Sequence, residues 1–184
     1  LLDRIPTAFA LHGYVSGVPA LVWSGHRTEA EALARDGLLR ASTDSIGNAT
    51  TALWHGYLLL LNSRWSELEA LTGRWGTSSD VEVDMALKSL RGISLVRLGR
   101  VADALAVDSM MAKAAAPTAR AYADFSRAGI AAHLGGARRA VALLERSLEG
   151  GFHLEIYSTG FWKEPTFLPL MGDSGFARLV RKGA

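Results

Sequence analysis

The sequence predicts an all-α fold, a row of antiparallel helix hairpins, on three observations. Turn-like strings, Asn62-Ser63-Arg64, Leu98-Gly99-Arg100 and Leu134-Gly135-Gly136, recur with their middle residues 36 positions apart. A period in this range marks stacked helical units, each too small to bury its apolar face alone. Seven residues before each turn stands a small residue (Gly56, Gly92, Ala128), and five after it stand Leu68, Ala104 and Ala140. Small residues at fixed offsets let helices cross closely, and the frame predicts that crossing within each hairpin. The linkers are short, as antiparallel neighbours require.

One more step of 36 back reaches Arg27, which places Ala20 and Ala32 at the small positions of a first unit. That unit departs from the pattern. Pro19 falls inside its first helix, where proline costs about 3 kcal/mol or more, and Gly13, Gly17 and Gly25 weaken it further. The expectation is a separate helix over Leu2–Tyr14 and a short one opened by Pro19, a degenerate N-terminal segment over residues 1–26. Thr28–Ala41 then reads as an amphipathic helix with Ala32, Leu33, Leu38 and Leu39 inward. Ser45–Leu61, capped by Asp44 or Ser45, pairs with Arg64–Arg74. Asp80–Leu98, capped by Ser79 or Asp80, pairs with Arg100–Ala115. Pro117 suits the first turn of a helix running to Leu134. Gly136–Leu148 closes the fourth hairpin, and Gly150-Gly151 stops it. The hairpins occupy residues 27–150, and residues 151–184 form a capping tail.

Two stretches carry a resemblance: Gly92–Leu95–Leu98-Gly99-Arg100–Ala104-Leu105–Met111–Pro117, and Ala128–His133-Leu134-Gly135–Ala140–Leu144–Ser147. Over about residues 45–150 the chain resembles the tetratricopeptide repeat family, although its period of 36 exceeds that family's usual 34. The resemblance implies a right-handed superhelical array of hairpins, a TPR-like α-solenoid with a C-terminal capping helix. Glu164-Pro165-Thr166-Phe167-Leu168-Pro169-Leu170, followed by Asp173 to Val180, looks like the segment that often ends bacterial arrays of this kind. Such arrays accompany kinase, cyclase or transcription-regulator modules. Asp173 can cap the final helix, whose Phe176, Leu179 and Val180 make an apolar stripe.

Composition narrows the chemistry. A chain of 184 residues suffices for one domain with a real core, and it has no cysteine, which removes disulfides, thiolate metal sites and thiol nucleophiles. A net charge of +2 gives no strong case for nucleic acid or an anionic membrane. The longest apolar stretch, Ala49–Leu61, is interrupted by His55 and falls short of the roughly 20 residues a membrane span needs. The start, Leu-Leu-Asp-Arg, shows neither initiator methionine nor signal peptide. It reads as the C-terminal part of a larger bacterial protein, with the cytoplasm favoured. A mean hydropathy of +0.14 suits a face covered by a missing domain or by a second copy, a homo-oligomer.

No constellation for catalysis emerges, so the chain reads as non-enzymatic and without cofactor. No two of the five histidines lie three or four apart; His153-Leu154-Glu155 sets a histidine two residues from a carboxylate, a weak metal site. Gly135-Gly136 lacks the spacing and lysine of a phosphate loop. Asp80, Glu82 and Asp84 suit a helix start, where the macrodipole favours negative charge. Asn48-Ala49-Thr50 matches a glycosylation sequon by letters only.

By the family frame, partners bind along a concave face of first helices. That frame places Leu53, Tyr57, Leu61, Ile93, Arg97, Tyr122, Phe125 and His133 on a largely apolar groove. The Lys, Asn and Arg residues with which chaperone adaptors clamp a carboxylate are missing from the corresponding positions, which disfavours that role. The expected partner is a protein or peptide segment, with a second copy of the chain or a small apolar ligand as alternatives, and with no nucleic acid and no membrane span.

Overall fold

The computed structural model describes residues 7–43, 46–75, 78–114, 116–152 and 160–183. Among them are nine α-helices and no strand: α1 (Thr7–Trp23), α2 (Arg27–Ser42), α3 (Ala49–Leu61), α4 (Trp65–Arg74), α5 (Val81–Arg97), α6 (Val101–Met111), α7 (Pro117–His133), α8 (Ala137–Glu149) and α9 (Ser174–Gly183). Two 3-10 segments, Phe161–Lys163 and Pro165–Leu170, precede α9. No helix among the described residues is long and apolar enough to cross a membrane.

The helix starts follow local chemistry. Asp80 Oδ1 accepts from the amides of Glu82 and Val83 at 2.9 and 3.2 Å, satisfying two first-turn donors of α5. Pro117 stands at the first position of α7. Asp173 Oδ1 accepts from Phe176 N at 2.9 Å at the start of α9. For α3 the cap is Asn48, whose Oδ1 accepts from Thr51 N at 2.8 Å. The asparagine of the sequon-like string therefore starts a helix. Asp44 and Ser45, the caps expected from sequence, lie outside the described residues, as do His153 and Glu155.

The helix ends repeat one turn. In each of α1, α3, α5, α7 and α8 the residue after the C-cap has positive φ: Gly25, Ser63, Gly99, Gly135 and Gly151. Its amide donates three residues back and the next amide donates five back, with lengths of 2.8–3.2 Å throughout. This is the Schellman arrangement, which satisfies the orphan carbonyls of the last turn. In the first four cases the next residue (His26, Arg64, Arg100, Gly136) takes φ of −86 to −89° and ψ of 56 to 64° and opens the second helix. Ser63, at φ 56°, is the only non-glycine residue with positive φ among the described residues. A side chain there is disfavoured by roughly 1–2 kcal/mol, so Ser63→Gly is expected to raise stability by about 1 kcal/mol in urea unfolding. A loss would mean that the serine side chain has a compensating contact.

This turn corrects the first unit. The equivalent of Ser63 is Gly25, not Arg27, so the first interval is 38 residues and the later two are 36. In the shifted frame the residue five after the turn is Ala30, Leu68, Ala104 or Ala140, each at most 2% exposed. Ala32 is exposed and Leu39 is 68% exposed; Ala30, Ala34, Gly37 and Ala41 face inward in their place. The two helices expected around Pro19 are one continuous α1 with the proline inside it. Leu11, Val15 and Val18 are buried along it, and tertiary packing of this kind overrides a local penalty of a few kcal/mol.

Packing is regular. Each odd-numbered helix from α1 to α7 pairs with the helix after it, and α1, α3, α5 and α7 pack on one another in turn. Small residues serve this second contact as well as the hairpin: a Cβ on Gly92 would sit 2.2 Å from Ile130 Cδ1 of α7, and one on Gly56 would sit 2.8 Å from Leu90 Cδ1 of α5 and 3.5 Å from Leu68 Cδ1 of its hairpin partner α4. Buried Asp108 and Asp124 tie α6, α7 and α8 through Arg127, Arg139 and Arg146, with N···O distances of 2.6–3.1 Å. The basic residues at 139 and 146 thus belong to an ion network between helices.

Candidate functional site

The tail lies across the row of odd-numbered helices. The segment Pro165–Leu170 packs on α7, α1 and α3, and Phe161–Lys163 packs on α1. Trp23, at the end of α1, donates from Nε1 to the carbonyl of Trp162 at 3.2 Å. Phe125 of α7 stacks on Phe152 (centroids 4.1 Å apart) and meets Phe167 edge to face at 5.0 Å. Gly129 makes room for this path, since a Cβ there would lie 3.1 Å from Thr166 Cβ. The chain's own segment therefore covers much of the face that the repeat frame assigns to a partner.

Beside the tail a narrow recess of about 40 Å³ remains. Leu53 and Tyr57 of α3, with Tyr122 and Phe125 of α7, come together in its walls, with Ser89 of α5 at the matching frame position. The other four sequence-derived residues lie elsewhere. Ile93 is buried in the core, and Leu61 packs against core residues of the first two hairpins. Arg97 is exposed, its guanidinium 5.1 Å above the Trp65 ring. His133 is largely buried, and neither ring nitrogen has a hydrogen-bond partner. Burial pushes its pKa down to about 4, the Arg97 charge adds to this, and the Thr166 backbone opposes it.

The recess also holds residues the sequence reading did not place in the groove: Trp54, Glu82 from the first turn of α5, Phe152, Glu164 and Thr166. Glu164 is 3% exposed, and neither carboxylate oxygen has a hydrogen-bond partner. Burial pushes its pKa up to about 7. The Tyr57 and Thr166 hydroxyls oppose the rise from nearby without meeting bonding geometry, while the Glu82 charge adds to it. The Glu164-Pro165 pair was visible in sequence, but nothing local announces that its carboxylate turns inward. Trp23 and His12, whose ring lies 5.0 Å from Trp54, were hidden by the two-residue error in the first unit.

No group of three or more His, Cys, Asp or Glu side chains is placed to hold a metal ion among the described residues. Compared with known proteins, the chain matches no family model, no curated sequence and no solved structure.

Proposed function

We propose that this chain is a non-enzymatic interaction module of the tetratricopeptide type, a right-handed array of hairpins within a larger bacterial regulatory protein. Its row of first helices takes an aromatic-rich segment of a partner protein. One observation carries the reading: the chain's own 161–170 segment already lies along α1, α3 and α7 in this way, with Trp162 held through its backbone and Phe167 seated on Phe125. Aromatic anchors seated in apolar pockets carry much of the binding energy of protein interfaces. The covered face implies that a partner either displaces the tail or binds beside it, near Tyr57, Tyr122 and Arg97.

Affinity capture with the full chain tests this. Tyr57→Ala, Phe125→Ala and Arg97→Glu are expected to reduce recovery of one common partner, whereas Leu39→Ala, at a 68% exposed site outside this face, leaves it unchanged. Equal recovery with all four variants would remove the face assignment.

A further inference from the structure

We propose that the recess between α3, α5 and α7 is a binding site for a protonated primary amine, its ammonium head seated against the Glu164 carboxylate. A carboxylate withdrawn from water requires a countercharge or a full set of hydrogen bonds. Glu164 has neither: both oxygens are buried and unpartnered, and among the described residues the recess is lined by no lysine, arginine or histidine. The second charge in the walls, Glu82, carries the same sign. The Glu164 carboxylate, with no hydrogen-bond partner of its own, therefore lies beside a second acidic side chain.

The remaining walls select the kind of cation. Trp54, Tyr57, Tyr122 and Phe125 present aromatic surface, and ring faces attract ammonium groups. A divalent metal ion instead demands a shell of about six or more oxygen ligands including several carboxylates, and among the described residues no three His, Cys, Asp or Glu side chains converge here. The free volume of about 40 Å³ is roughly three times the 10–15 Å³ that one water requires. It suits an ammonium nitrogen with one or two carbons. A trimethylammonium head is bulkier and donates no N–H to Glu164. The shared chemistry is thus an alkylammonium, supplied by a free small amine or by a lysine side chain.

Proton and ammonium compete for the one Glu164 carboxylate, whose proton affinity burial raises. Tyr57 from α3, Glu82 from α5 and Thr166 from the tail are the other groups acting on it. Amine binding is therefore expected to strengthen as pH rises through 7, where a primary amine is still protonated.

The test titrates the full chain at pH 8, following the Trp54 indole N–H by NMR, with n-propylammonium, Nα-acetyl-lysine amide, tetramethylammonium and n-propanol. A saturable shift with either primary amine is expected, weakened about tenfold or more at pH 5.5 and in Glu164→Gln. Tighter binding of the lysine amide identifies a side chain as the source; tighter binding of propylammonium identifies a free amine. Should Glu164→Gln alter the fold, Glu82→Gln carries the comparison with a smaller loss. The proposal is overturned if neither amine binds, if propanol or tetramethylammonium binds as well as propylammonium, or if the Gln variants bind unchanged. No protein partner enters the titration, so its failure leaves the partner face untouched, and the reverse holds.

Discussion

Glu164→Gln is expected to stabilise the folded chain above pH 7 by on the order of 3 kcal/mol, with almost no effect near pH 4.5. The sign follows from linkage. The folded carboxyl has its pKa raised from 4.5 to about 7 by burial. Between those values the native state binds more protons than the unfolded chain, so its stability falls as pH rises. A displacement of that size corresponds to the energy quoted. Glutamine keeps the shape and carries no charge, so it removes the penalty only where glutamate is ionised. His133 acts in the opposite sense. Its pKa is lowered from 6.5 to about 4, so stability rises with pH across that window. His12 and His55, both lowered by burial, act in the same sense as His133. In the parent chain the opposing slopes largely cancel between pH 4.5 and 6.5. In the Gln variant, stability should climb through this range and then level. Urea unfolding at pH 4.5, 5.5, 6.5 and 8 reads this directly. A difference between variant and parent that is constant across pH would show that Glu164 does not titrate in this range.

The repeat was legible because its signal is local. A residue in the left-handed region, the next residue opening a helix, and an alanine or leucine five positions on all follow from backbone geometry and side-chain size. Gly99 and Gly135 showed it openly, and Ser63 fell into register by its spacing although serine is an uncommon choice at φ 56°. Extrapolating a period of 36 then passed over Gly25 by two residues, turned the inward face of α2 onto Ala32 and Leu39, and left Trp23 off the face it shares with the tail. Pro19 reinforced the error, since its local cost is real but is outweighed by the burial of Leu11, Val15 and Val18. The candidate site was legible only in part for a different reason. Leu53, Tyr57, Tyr122 and Phe125 follow from helix periodicity once the frame is set. Glu164, Glu82 and the tail's path depend on contacts between residues far apart in sequence, such as Phe167 with Phe125 and Trp162 with Trp23, for which a solvent-favouring side chain gives no local sign.

Phe167→Ala is expected to cost about 3–5 kcal/mol, the range for emptying a fully buried phenylalanine site. Phe167 is 1% exposed and lies edge to face on Phe125, with Phe176 of α9 at 6.1 Å on its other side. It thus joins α7, the tail and the last helix at one point. Collapse of the hole is restricted, because Leu170, Phe161 and Leu179 of the same core cluster are themselves buried. Phe167→Leu should cost less, since it keeps most of the volume and loses chiefly the ring contacts, each worth about 0.5–1.5 kcal/mol. The distribution of the loss matters as much as its size. The Trp23–Trp162 bond and the packing of Pro165–Leu170 on α1 and α3 make the tail a bridge between the first and fourth hairpins. Weakening its anchor should therefore raise amide exchange in α1 and α9 before the interior of α5, where Leu90 and Ile93 are fully buried. Hydrogen exchange and urea unfolding of the two variants measure both quantities. A loss below about 1 kcal/mol for Phe167→Ala, or faster exchange confined to residues 160–183, would mean that the tail rests on the helices without joining their ends.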